Sequence, residues 1–193
     1  MLGAIGAGAS AQAAFVMTET KTFGFLPNGT QQMTFAKFDE QGGSRVLQSV
    51  EISIELTKTG GSLAVDNDSA NAGTINLIHE IKGTLGVVTG GISLLDLAFN
   101  PIAGSINATS AMNNVGLGPT SGDATTEFNN TGLGDYYLFT PTSLTVSSSG
   151  TINSLFTRGY VATESSGDFV LGFGADQTTS ATGIGGLQQA YVV

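Results

Sequence analysis

The sequence predicts an all-β fold, an antiparallel β-sandwich of jelly-roll-like or Ig-like type. Three observations lead there. Val50, Ile52, Ile54 and Leu56 alternate with Glu51, Ser53, Glu55 and Thr57, and a period of two puts one set of side chains on a buried face and the other in water. Further short β-branched or aromatic runs follow, each bounded by Gly, Pro, Ser or Asn, the punctuation of a sandwich or barrel. Charged residues are only 11% of the chain, where roughly 25% is usual. Helices draw on Glu, Lys and Arg for their outer faces, so a neutral polar surface with 28 glycines suits strands better.

The elements follow in order. Residues 1–13 read as the remnant of a secretory signal peptide. Ala4, Ile5, Ala7 and Ala9 form an apolar run, followed by the small-residue frames Ala9-Ser10-Ala11 and Ala11-Gln12-Ala13. No Lys or Arg precedes the run, and it is too short to span a bilayer as a helix. The mature chain is expected to start near Ala14 or Phe15, with residues 14–193 forming a single sandwich domain.

Met33, Phe35 and Phe38 mark a first strand. Val50–Leu56 is expected to be a central strand, broken at Gly60-Gly61. Ile75, Leu77, His79 and Ile81 alternate up to Gly83, and Leu85 and Val87 lead to a turn at Gly90-Gly91. Ile92–Phe99 fits one or two helical turns or a buried strand, and Asn100-Pro101 stops it in either case. Residues 103–134 are rich in Gly, Ser, Thr and Asn with few large apolar side chains. They predict a long surface excursion with a short helix near Ala108–Asn113. Tyr136–Phe139, Leu144–Val146, Ile152–Phe156 and Phe169–Phe173 predict later strands. Tyr191-Val192-Val193 looks like the beginning of a strand, so the domain is expected to be cut short at its C-terminus.

The segment from Thr30 to Leu56, TQQMTFAKFDEQGGSRVLQSVEISIEL, has a Phe-Asp pair ending one strand, a glycine turn, and a long alternating strand. Through Phe38, Asp39, Gly43, Leu47 and Val50 it resembles the choice-of-anchor E domains, exported bacterial proteins that often carry a PEP-CTERM sorting tail. The resemblance implies an exported β-rich domain without established catalytic activity, and no catalytic or ligand residues. The Pro-Glu-Pro motif and basic cluster of such a tail do not appear in this sequence. Physical reasons account for the motif as a hairpin corner. Asp39 can accept hydrogen bonds from the following turn, and Gly42 and Gly43 allow positive φ.

Charge narrows the partners. The formal net charge is −9, and the six basic residues are spread singly. A nucleic-acid binder needs a basic stripe, and an anionic lipid surface also attracts basic clusters. Neither nucleic acid nor membrane insertion is expected. No cysteine is present, which removes disulfides, thiolate metal sites and a thiol nucleophile. The expected partners are extracellular polysaccharide or other surface proteins, at a bacterial surface or outside the cell.

Candidate chemistry is sparse. His79, the single histidine, is in phase with Ile75, Leu77 and Ile81, which reads as a structural role rather than part of a catalytic triad. Asp66-Asn67-Asp68, followed by Asn71 and Gly73, is the best oxygen cluster and the candidate calcium site. Its spacing departs from the EF-hand loop, with Leu77 in place of the closing Glu. The plainer reading is a solvated Asx-rich turn, and Asp39 or Asp135 would join only if the fold brings them close. Gly172-Phe173-Gly174-Ala175-Asp176 matches one unit of the calcium-binding nonapeptide repeat, but that architecture requires tandem copies. A strand end and turn is expected instead. Tyr136-Tyr137 either stacks on sugar or is a strand with one ring in and one out. No catalytic residue and no bound cofactor is expected. The chain reads as a secreted, non-catalytic structural or adhesive domain, with a carbohydrate- or calcium-binding module as the alternative.

Overall fold

A computed structural model describes residues 15–22, 24, 28–120, 128, 134–164 and 166–192. The expected signal remnant, 1–13, lies outside them. In chain order the elements are β1 (Gly29–Ala36), β2 (Glu51–Lys58), β3 (Ser62–Asn67), β4 (Gly73–Thr89), β5 (Ile106–Leu117), β6 (Tyr136–Phe139), β7 (Leu144–Thr151), a 3-10 helix (Ser154–Tyr160), β8 (Asp168–Thr182) and β9 (Leu187–Val192). They form a four-stranded sheet in the order β1-β8-β4-β5, a two-stranded ribbon β2-β7 and a three-stranded sheet β6-β3-β9. Every strand pairing is antiparallel. The chain is an all-β sandwich.

The two smaller sheets share one face of the large one. Ile75, Leu77, His79 and Ile81 of β4 are buried, and so are Phe169, Leu171, Phe173, Ala175 and Ala181 of β8. These are odd-numbered positions, so period two puts each set on a single face. At one end Ile52, Ile54, Leu56 and Val146 of the ribbon pack on Phe169, Leu171 and Ile106. At the other end Leu63, Val65, Phe139 and Leu187 of the three-stranded sheet pack on Ile75, Leu77, Leu117 and Ala181. The two cores therefore lie side by side along β4 and β8.

Several expectations are corrected. The alternation in β2 is real, but β2 is a ribbon strand, and Ile52, Ile54 and Leu56 are only half-buried. The fully buried centre belongs to β3, β4 and β8 instead. Gly83 does not end a strand. It is an interior residue of the seventeen-residue β4, and a Cβ there would lie 3.1 Å from Ile106 and 3.3 Å from Leu56 and Phe173. The glycine permits close approach rather than a turn.

Residues 106–117 are not part of a surface excursion, and Ala108–Asn113 is not helical. They form β5, the outer strand of the large sheet. Its inward positions include the small residues Ala108 and Ser110, so no apolar row announces it. Residues 121–127 and 129–133 lie outside the described set. Gly172–Asp176 lies inside β8, not at its end. Ile92–Phe99 is neither helix nor strand but a loop closed by the Leu95–Pro101 and Asp96–Ile152 bridges. After Ile152 the chain turns into the 3-10 helix, because the Asn153 side chain accepts from Leu155 N at 3.1 Å and caps it. Leu187–Val192 is a strand paired along its length with β3.

The hairpin corner forms as expected. Asp39 Oδ1 accepts from Gln41 N at 2.8 Å, and Gly42 and Gly43 take φ of 67° and 90°.

Burial ranks the strands energetically. Leu77 is fully buried, so Leu77→Ala is expected to cost about 2–5 kcal/mol. Ile52→Ala, at a half-buried ribbon position, should cost about half as much. Urea unfolding of the two variants measures the difference, and equal losses would place the ribbon in the fully packed core.

Candidate functional site

Two polar places interrupt the apolar interior. The first is the end of β3. Asp66 and Asn67 are 2% and 0% exposed, so they do not form the solvated turn expected from the sequence. They close a buried strand, and the turn proper follows at Asp68–Ala72. Asn67 holds this corner together. Its Nδ2 donates to Asn71 O at 3.0 Å and to Gly118 O, and its Oδ1 accepts from Ser69 N at 2.9 Å. Its backbone N donates to Asp135 O at 3.0 Å, while Asp68 N donates to Gly186 O at 3.1 Å.

The amide side chain thus joins the turn after β3 to the Gly118 segment, and the backbone N–H groups of Asn67 and Asp68 add Asp135 and Gly186. Both ends of that amide are committed to the protein, so of the three candidate ligands Asn67 acts as a structural residue. Asp135, distant in sequence, is brought beside the pair and is 1% exposed. Asp39 belongs to its own turn. Among the described residues, no group of three or more His, Cys, Asp or Glu is arranged to hold a metal ion.

The second place lies between the two cores. His79, in β4, pairs directly with Thr179 of β8. Period two puts it on the inner face between Leu77 and Ile81, as the sequence phase predicted, and it is 1% exposed. Its Nδ1 lies 2.6 Å from Thr179 Oγ1. Its Nε2 is buried and meets no hydrogen-bonding protein atom among the described residues. Lys58, the last residue of β2, closes the space from above. Its Nζ donates to Gly60 O and lies 3.2 Å from where a Cβ of Gly61 would be. Burial and then the Lys58 charge hold the His79 pKa below its ordinary value. Burial also lowers the Lys58 pKa. Sequence alone found His79 but not Lys58, Ser62, Gln177 or Thr179, because the seam joins residues from three sheets.

On the outer surface, the β2–β7 ribbon presents a shallow groove of about 330 Å³ lined by Ser53, Ile54, Glu55, Ser147, Ser148 and Ser149. Thr57 and Thr145, cross-strand partners in the same ribbon, have hydroxyls 3.0 Å apart. No aromatic ring lines the groove. Tyr137 packs against the second core, with its hydroxyl 2.9 Å from Met112 sulfur. Tyr136 is half-buried, so neither ring of the pair is fully exposed.

Comparison of the chain with protein families, curated proteins and solved structures gives no match.

Two outcomes follow from this geometry. Asn67→Ala empties a fully buried site, leaves part-buried carbonyls of two loops without their donor and should cost about 2–4 kcal/mol. Asn67→Asp should cost at least as much, because it sets a carboxylate oxygen against those carbonyls. Chemical denaturation reads both, and a loss below about 0.5 kcal/mol would show that the loops hold without it.

His79 gives a pH dependence of known sign. Its folded pKa lies below the unfolded value of about 6.5, so the unfolded chain binds the proton more readily. His79 therefore leaves stability intact above about pH 6.5 and removes it as pH falls through the folded pKa. His79→Gln should lose this part of the acid sensitivity, measured as the slope of unfolding free energy between about pH 7 and 5.

Proposed function

We propose that the chain is a non-catalytic structural or adhesive domain, exported to a bacterial cell surface or extracellular matrix. Its proposed partners are extracellular polysaccharide or other surface proteins, and its resemblance to choice-of-anchor E domains is part of the same reading. The observation that carries the proposal is β5. It is twelve residues long and hydrogen-bonds to β4 on one side, as the outer member of the large sheet. Its sequence, INATSAMNNVGL, contains no charge and no proline.

Edge strands in monomeric proteins are usually short, charged or proline-blocked, because unpaired backbone groups recruit further strands. A long neutral edge suits a domain whose work is contact. Only its C-terminal part is interrupted, by a register shift opposite Ile75–Leu77 with Asn114 at φ 57°. Ile106–Met112 pairs with β4 without a register shift, with Asn107, Thr109 and Ala111 exposed.

A calcium- or carbohydrate-binding module is the second reading. It is favoured by the backbone bond from Asn67 N to Asp135 O, which places Asp135 beside the Asp66–Asp68 segment, and by the hydroxyl-lined groove of the ribbon.

The experiments separate these readings. Thr109→Lys with Ala111→Lys puts two charges on the edge while leaving both cores untouched. The doubly substituted protein is expected to keep its melting temperature and to lose retention in the surface or matrix fraction of producing cells. Unchanged retention would remove β5 from the proposal, and protein confined to the cell interior would remove export. Melts with about 5 mM calcium and with chelator are expected to coincide. A rise of several degrees, abolished by Asp66→Ala, would promote the calcium reading, since a ligand at a hundredfold excess over its Kd adds about 2.7 kcal/mol.

A further inference from the structure

The seam between the two cores has the chemistry of an anion site. A cavity of about 10 Å³ is lined by Lys58, Gly61, Ser62, Leu63, His79, Pro141, Gln177 and Thr179. This volume is about what the centre of one water-sized ligand occupies. The polar part of the lining can donate to a ligand through the Lys58 ammonium and the Gln177 amide, while the hydroxyls of Ser62 and Thr179 are already hydrogen-bonded to Thr140 and His79. His79 adds its buried Nε2. When the Thr179 hydroxyl donates to Nδ1, Nε2 carries the proton and is a donor without a hydrogen-bonding partner among the described residues.

Charge decides what fits. Among the described residues, Lys58, from β2, is the only charged residue that lines the cavity. The groups beside His79 from the other packed elements are Ser110 of β5, its cross-strand partner, Ser62 and Leu63 of β3, Pro141 before β7, and Gln177 and Thr179 of β8, and all are neutral. On His79's own strand, Glu80 and Lys82 are even-numbered and belong to the opposite face. A cation supported by the Gln177 amide and by His79, with no carboxylate lining the cavity among the described residues, calls for an acceptor of one-atom size.

We propose that this seam binds a monatomic anion of the halide class, held between Lys58 Nζ and His79 Nε2 and bridging the ribbon to the large sheet. Protonation of His79 brings a second positive charge to the cavity, so anion and proton bind with mutual support. By linkage, each raises the affinity of the other by the same factor. The site is distinct from the β5 edge and does not depend on the adhesive reading.

The test uses the intact chain. It has a single histidine, so one imidazole signal reports His79 by NMR. Titrations are compared in sodium chloride and in sodium gluconate at equal ionic strength, gluconate being too large for a one-atom cavity. The His79 pKa is expected to be higher in chloride, with proton affinity up about threefold or more and saturating with concentration. Lys58→Met should abolish the chloride dependence, and Lys58→Arg should retain it. In bromide-soaked crystals an anomalous peak is expected beside Nζ and Nε2. Identical titrations in the two salts would overturn the proposal, a comparison that needs no variant to fold. So would a chloride effect that survives Lys58→Met, or a water without bromide at that place.

Discussion

The structure depends on the antiparallel pairing of β4 with β8. These strands are seventeen and fifteen residues long, well above the usual five or six. Their ladder runs from Asn76–Thr182 to Thr89–Val170 with one register shift near its end. A pair this long offers more inner face than one small sheet can cover. Two sheets share it, and each builds its own core against it. Register on this spine is strict: a slip by one residue would turn Ile75, Leu77, Ile81, Phe169, Leu171 and Phe173 to solvent together.

This arrangement creates the seam. Where the ribbon ends at Lys58 and the three-stranded sheet begins at Ser62, neither cover reaches the middle of the spine. The Gly60-Gly61 turn, with φ of 73° and 78°, carries the chain from one cover to the other. The inner-face residues below are no longer large and apolar; they are His79, Gln177 and Thr179. The sequence places polar residues on the spine where packing is interrupted, and the hydrogen bond between His79 and Thr179 is the result.

The sequence shows faces better than neighbours. The alternation of Val50–Leu56 and the phase of His79 were both legible, because each is a property of one strand. So was the Asp39 turn, a contact over two residues. β3 was not legible, since Leu63 to Asn67 are all buried and a strand covered on both sides has no alternation to read. Its polar end was therefore taken for an exposed turn. β5 was missed for the opposite reason: small and neutral residues fill both of its faces. The centrality of β2 was misjudged because alternation measures a difference between two faces, not the depth of either. The seam was out of reach, because it brings Lys58 and His79 beside Gln177 and Thr179, about a hundred residues away.

The buried polar side chains answer a problem set by the absence of cysteine. Loops at both ends of the sandwich must be fixed without disulfides, and single side chains bridging separate segments do this. Asn67 ties the β3 end to the turn after it and to Gly118. Asn153 caps the 3-10 helix through its oxygen and reaches Leu97 O through its nitrogen. Lys37, 9% exposed, crosses to Gly90 O at 2.6 Å. There Gly90 adopts φ 106° and a Cβ would come within 2.5 Å of Phe169. Tyr160 donates to Ser93 O in the same region. Each contact satisfies a backbone carbonyl through a part-buried hydrogen bond, so its removal costs the bond and some desolvation of the carbonyl. These clamps raise stability modestly one by one. Their larger effect is on uniqueness, because an alternative loop placement would leave several buried polar groups unsatisfied at once.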